Sequence, residues 1–185
     1  MVSVTLTWDL CIVIFFAIVM SYSFIIGQHQ SMRVIIASYI AIMATQGIGN
    51  VLARLMGDAQ TTLHTVGIPM DVTVIAVSKI ALFAICVIIF VVRSGITVTV
   101  ERETGNILSA IYTGLFGFAT AGLIASTLLT YAAGGGILDS GIVASSLIAT
   151  VARGSTLMQL IILNQDIWFT LPAFLIIVTG LLHSE

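Results

Sequence analysis

Charge is what this chain has least of: only 8% of its residues are Asp, Glu, Lys or Arg, while 59% are hydrophobic. Six Lys or Arg and eight Asp or Glu over 185 residues are too few to solvate the surface of a soluble domain of that length. A mean hydropathy of +1.19 points to lipid as the solvent. The net charge of −2, with no basic run and no charged tail, gives no reason to expect nucleic acid as a partner. Cysteine is nearly absent too. Cys11 and Cys86 each lie inside an apolar run, so they read as small packing residues and not as a disulfide framework. His29, His64 and His183 are scattered and offer no zinc-site spacing; no metal or cofactor is expected. The first ten residues hold no Lys or Arg, and Asp9 stands where a positive n-region belongs. The first apolar run is therefore expected to stay in place as a span.

What the chain has is apolar runs of about 20 residues, the length that crosses a bilayer. They cover residues 8–27, 34–56, 72–92, 106–133 and 167–182. Trp8 reads as an interfacial anchor. The spacing predicts a short loop over Gln28 to Met32, a polar loop holding Gly57, Asp58, His64 and Pro69, and a charged turn at Glu101-Arg102-Glu103. Ile96 to Val100 is wholly β-branched and suits extended backbone. Gly134-Gly135-Gly136 is a helix stop. The stretch 142–163 is long enough to span, but Arg153 falls near its middle with Ser145, Ser146, Thr150, Thr156 and Gln159 around it. A central Arg costs roughly 2.5–3.5 kcal/mol on insertion scales, so 142–163 is expected to lie in the interface as an amphipathic helix; spanning is the alternative. The last run reaches only about 24 Å, so it needs either Gln165 and Asp166 in its helix or a thinned bilayer, and Pro172 near its start is a kink site. The expectation is a single all-α domain over 1–185: a polytopic transmembrane bundle of about five spans plus one interfacial helix.

With five spans, Arg33, Arg93 and Arg102 fall on one side and Arg54 and Arg153 on the other. That bias places the N-terminus outside and the C-terminus in the cytoplasm. No repeat supports an inverted-repeat transporter.

Two stripes of small residues stand out. In the fourth span Asn106, Ala110, Thr113, Gly117, Thr120, Ile124, Thr127 and Tyr131 alternate at steps of four and three, a period of about 3.5 that keeps one face on a left-handed neighbour. Ile107, Ile111, Leu115, Phe118, Leu123 and Leu128 occupy the other faces. In the second span Ala37, Ala41, Thr45, Gly49 and Ala53 recur at steps of four, the spacing that lets helices approach closely in lipid; Ser23 and Gly27 repeat it once. Both read first as packing seams, since Thr hydroxyls commonly bond their own backbone. A pore or assembly surface is the sharper reading. Lys79, the only lysine, lies within the third span, roughly 10 Å from its start. An intramembrane charge is a candidate functional group; the simpler reading has it snorkelling, or pairing with Asp58 or Asp71. No G-x-S-x-G, H-E-x-x-H, Walker loop or paired intramembrane aspartate is present, and Gly47-Ile48-Gly49 lacks the third glycine of a dinucleotide loop. No enzymatic activity is expected.

The Trp8-Asp9 start, the short first loop ending in Arg33, the turn Glu101-Arg102-Glu103 leading into Asn106 to Gly117, and the late Trp168 with Leu171-Pro172 form a layout over most of the chain. That layout resembles the CvpA family, the bacterial colicin V production proteins. The chain departs from the family pattern where Asn106 is followed by Ile107, Ala110 replaces a glycine and only Gly114 falls in register. The resemblance implies a multi-pass protein of the cell inner membrane, linked to colicin V production and export or to envelope maintenance, and supplies no chemical activity. The expected role is that of an accessory or assembly protein acting through helix–helix contacts. Its expected partners are the lipid bilayer and either a second copy or another membrane protein. A small channel or transporter is the competing class, and a lytic, holin-like protein a third.

Overall fold

The computed structural model describes residues 8–66, 72–93, 106–132 and 155–182, with side chains at 8–51, 76–93, 109–132 and 155–181. Every element among them is helical: α1 (Trp8–Val66), α2 (Val72–Arg93), α3 (Asn106–Ala132), α4 (Thr156–Leu163) and α5 (Gln165–Leu182). The charged turn, the β-branched run 96–100, the glycine triplet and residues 142–154 lie outside the described residues.

Three of these helices are long and apolar enough to cross a membrane: Trp8–Val51, Ala76–Arg93 and Ser109–Ala132. A fourth crossing is available if α4 and α5, bent by 66° to one another, form one span. This is a membrane-embedded helical protein. Its centre is α3: 67% of that helix's apolar window is buried, against 6% for Trp8–Val51 and 11% for Ala76–Arg93. Small residues explain the difference, because Ala119, Ala121 and Ala125 let neighbours close on several sides of α3 at once.

The expected loop over Gln28 to Met32 is helical instead, and the whole break falls on Gly27, at φ 80° and ψ 174°. That conformation is essentially reserved for glycine. The chain does not continue along one axis there. Ser23 and Ser31 hydrogen bond at 2.5 Å, whereas eight residues of straight helix would separate them by about 12 Å. The two arms run in opposite senses along α3. On the first arm, Phe24 approaches Gly114 and Phe16 stacks on Phe118; on the second, Tyr131 donates to the Ile42 carbonyl at 3.4 Å. The second arm also continues past Met56 to Val66, so Gly57 and Asp58 are helical where a loop was expected. A single Gly costs only about 1 kcal/mol inside a helix, and the next proline is Pro69.

The continuous helix expected over 142–163 is interrupted at Ser155, whose backbone is extended (φ −142°, ψ 116°) and whose hydroxyl accepts the Met158 N–H, a serine N-cap. Only Thr156–Leu163 is helical in the described part. Asn164 forms the joint to α5. Its N–H and side-chain amide both bond the Leu160 carbonyl, at 3.2 and 2.9 Å, and its own carbonyl accepts Ile167 N at 3.0 Å. One helix is thus capped and the next begun at a single residue. Gln165 and Asp166 belong to α5. Pro172 is buried within α5, and the sharp bend is at Asn164, not at the proline.

Gly27→Val should lower thermal stability in detergent by about 1–3 kcal/mol, the cost of a side chain in that backbone region. Gly47→Ala, where an added Cβ meets nothing within 4 Å, should be neutral or slightly stabilising. Equal melting temperatures for the two variants would show that the reversal does not depend on Gly27.

Candidate functional site

The sequence stripes converge on α3. Thr113, Gly117, Thr120, Thr127 and Tyr131 are buried, and Ile124 is half-buried. Ala110 is a correction: it is exposed, because the seam starts one turn later, where Phe24 comes within 3.3 Å of the Cβ position of Gly114. Of the residues on the other faces, Leu123 is fully buried, whereas Ile111, Leu115 and Phe118 are exposed. On α1, Ala41 and Thr45 are fully buried, and Thr45 lies against the Tyr131 hydroxyl.

At Gly117 the first arm of α1 packs directly on α3. A Cβ there would sit 2.7 Å from Ser23 Cβ, 2.9 Å from Ser23 Oγ and 3.4 Å from Met20 Cα, so any side chain must push the first arm of α1 away. The neighbouring hydroxyls do not reach across the seam. Thr113, Thr120 and Thr127 each donate to the carbonyl four residues back, at 2.8, 2.6 and 2.7 Å. Two bonds cross: Ser23 donates to the Thr113 carbonyl at 3.3 Å, and Tyr131 at the far end of the stripe donates to the Ile42 carbonyl. The threonines of the stripe are polar in composition but satisfied by their own helix, which lowers the cost of burying them in lipid.

A second close approach lies off the stripe. A Cβ on Gly122 would fall 1.9 Å from Trp168 Cε3, so the indole of α5 occupies the space that glycine vacates. Phe16 and Phe118 complete an aromatic cluster on it, with ring centroids 5.9 and 5.4 Å away. The signal was present as Ala119, Gly122 and Ser126, a shorter small-residue row at steps of three and four. It is hidden behind the longer stripe.

Gly49 and Lys79 meet. Lys79 is half-buried, and its Cε is 3.5 Å from the Cβ position of Gly49, so the glycine makes room for the lysine stem along the second arm of α1. Asp58 and Asp71 have side chains outside the described residues.

At the other end of the first arm, the Asp9 carboxylate accepts the Ser155 hydroxyl at 2.5 Å and the Leu157 N–H at 3.1 Å. A carboxylate from the first helix therefore joins in capping α4, where free N–H groups and the helix dipole favour negative charge. The sequence marks Asp9 only as a charge at a span end.

Nothing among these groups forms a catalytic set. The arrangement can bring helices into close contact and hold them there. No protein-family model, curated protein or solved structure matches the chain.

Gly117→Leu should destabilise the bundle by about 1–3 kcal/mol as an overpacking change. Leu115→Ala, on an exposed side of α3, should cost much less. Thermal unfolding of both in one detergent tests this; greater damage from Leu115→Ala would reverse the assignment of the packed face.

Proposed function

We propose that this chain is an accessory or assembly protein of a bacterial inner membrane, CvpA-like in role, which acts by presenting helices to another membrane protein or to a second copy. The observation that supports this reading is the state of the α3 stripe. Its threonine hydroxyls are spent on their own helix's carbonyls, and Ser23 closes the seam over Gly117. A channel or transporter would instead turn such hydroxyls toward a polar path, where they replace the water around a solute. Lys79, with its stem against Gly49, acts on this reading as a snorkelling charge and not as a solute site.

The test has two arms. In mild detergent the full chain should copurify as a stable oligomer or with a defined membrane subunit, and Lys79→Met should leave that assembly intact. Reconstituted in liposomes, it should release no more trapped ions or small solutes than empty vesicles do. Solute flux that Lys79→Met abolishes would replace this reading with the channel.

The same proposal takes the two arms of α1 as separate crossings, α2 and α3 as two more, and α5 as a fifth, with α4 lying in the interface. The arms of α1 support it, because 44 residues of helix from Trp8 to Val51 would extend about 66 Å if straight, twice the hydrocarbon thickness. Reporter fusions at the two termini should then report opposite sides of the membrane. Two termini on the same side would require an even number of crossings.

A further inference from the structure

Beside the Gly27 reversal lies a cleft of about 360 Å³, within the usual range for ligand pockets of ~300–1,000 Å³. Its walls come from both arms of α1, from the last turns of α2 and from the middle of α3, and include Ser23, Ile26, Ser31, Val34, Val91 and Ile124. It opens to the outside of the bundle, since Tyr22, Ile88 and Val92 on its rim are more than half exposed.

The chemistry of the walls restricts what can fill it. Four hydroxyls line the cleft; Tyr22 stands on the exposed rim, and the three inside it already have protein partners. Ser31 bonds the Gly27 carbonyl at 2.9 Å and Ser23 at 2.5 Å, Ser23 reaches the Thr113 carbonyl, and Thr120 bonds the Phe116 carbonyl at 2.6 Å. The remaining wall is chiefly Val and Ile. A buried water needs about 2–4 polar partners, and a polar solute needs convergent groups of its own; neither finds them here. The cleft belongs to helices that cross the membrane, where the apolar molecule in contact with every outward opening is lipid. Its α2 wall, through Val91 and Val92, leads directly to Arg93, the exposed last residue of that helix. A guanidinium there complements a phosphate at the bilayer surface.

We propose that this cleft is a phospholipid site, which takes one acyl chain of a bilayer glycerophospholipid between the arms of α1 and α2 and holds its phosphate at Arg93. The proposal rests on the membrane location of the helices and not on the accessory role. Gly27 shapes the site, because its reversal brings Val19 to Ile26 of the first arm and Ser31 and Val34 of the second into one cleft.

The test uses the full chain in nanodiscs doped with phosphatidylglycerol carrying a photoreactive diazirine in its acyl chain, followed by peptide mapping of the adducts. Labelling should concentrate on the peptides holding Val34 and Val87 to Val91 and should saturate. Unlabelled phosphatidylglycerol in excess should displace it. Val34→Phe, which fills the cleft, should abolish the saturable part. Arg93→Ala, at an exposed position, should weaken it about fivefold, the effect of one basic residue beside a charged membrane surface. Non-saturable labelling spread equally over Ile14, Ile18 and Ile25 on the outer face of α1 would reduce the occupant to bulk lipid and overturn the proposal. Crosslinks from the cleft to another protein would overturn it in favour of a partner helix. Because saturation in the unmodified chain and the Arg93→Ala effect are independent readouts, a Val34→Phe protein that fails to fold does not remove the test.

Discussion

Ser23 occupies the volume that any side chain on Gly117 would need, and the remaining architecture is arranged around that contact. In a bilayer the lipid tails are as apolar as leucine, so no hydrophobic force gathers helices as it does in water. Cohesion has to come from dispersion between closely fitted surfaces, which declines steeply with a gap of even 1 Å or so. The first arm of α1 reaches α3 at Gly117, α5 reaches it through Trp168 at Gly122, and the second arm reaches it at Tyr131. Removing a Cβ at two points of α3 allows three neighbours to share one helix.

The buried polar groups obey a second constraint, set by the absence of water in the hydrocarbon layer. Thr113, Thr120, Thr127, Thr130 and Thr179 each bond the carbonyl one turn back, and Ser38 does the same at 2.8 Å. Such bonds satisfy the hydroxyl without dictating a partner, so these residues act as small packing units. The bonds that cross between helices are fewer. Tyr39 donates to the Phe169 carbonyl, one turn before Pro172, which has no N–H for the carbonyl of Trp168. Ser126 Oγ and Trp168 Nε1 find no hydrogen-bond partner among the described residues.

Composition and apolar run length made the helical membrane class legible from the sequence, and α2 and α3 run as their hydropathy implies. The Thr113-to-Tyr131 part of the α3 stripe was legible because a 3.5-residue period depends only on helix geometry. The turn at Gly27 was not. Gln28, His29 and Gln30 look like a loop by polarity, yet a reversal needs only one residue when that residue is glycine. Ala110 was misplaced because periodicity tells which residues share a face and not where along the helix the neighbour ends. The burial of Leu123, off the stripe, shows that α3 has neighbours on more than one side, which a single stripe cannot convey. Ser155 is a good N-cap residue, but its signal was hidden inside a longer apolar run. The pairing of Asp9 with Ser155 joins positions too far apart for any local pattern to carry.

That pairing also bears on the order of events during synthesis. Asp9 and Ser155 are separated by 146 residues, so at ~5–20 residues per second the first helix is made roughly 7–30 s before its partner exists. Through that interval the carboxylate must remain at a hydrated surface, since an unpaired charge is costly in hydrocarbon. Docking of α4 onto it is therefore a late event, possible only after α1, α2 and α3 have been synthesised. Asp9 is thus a latch that closes only when Ser155 and the first turn of α4 have been made.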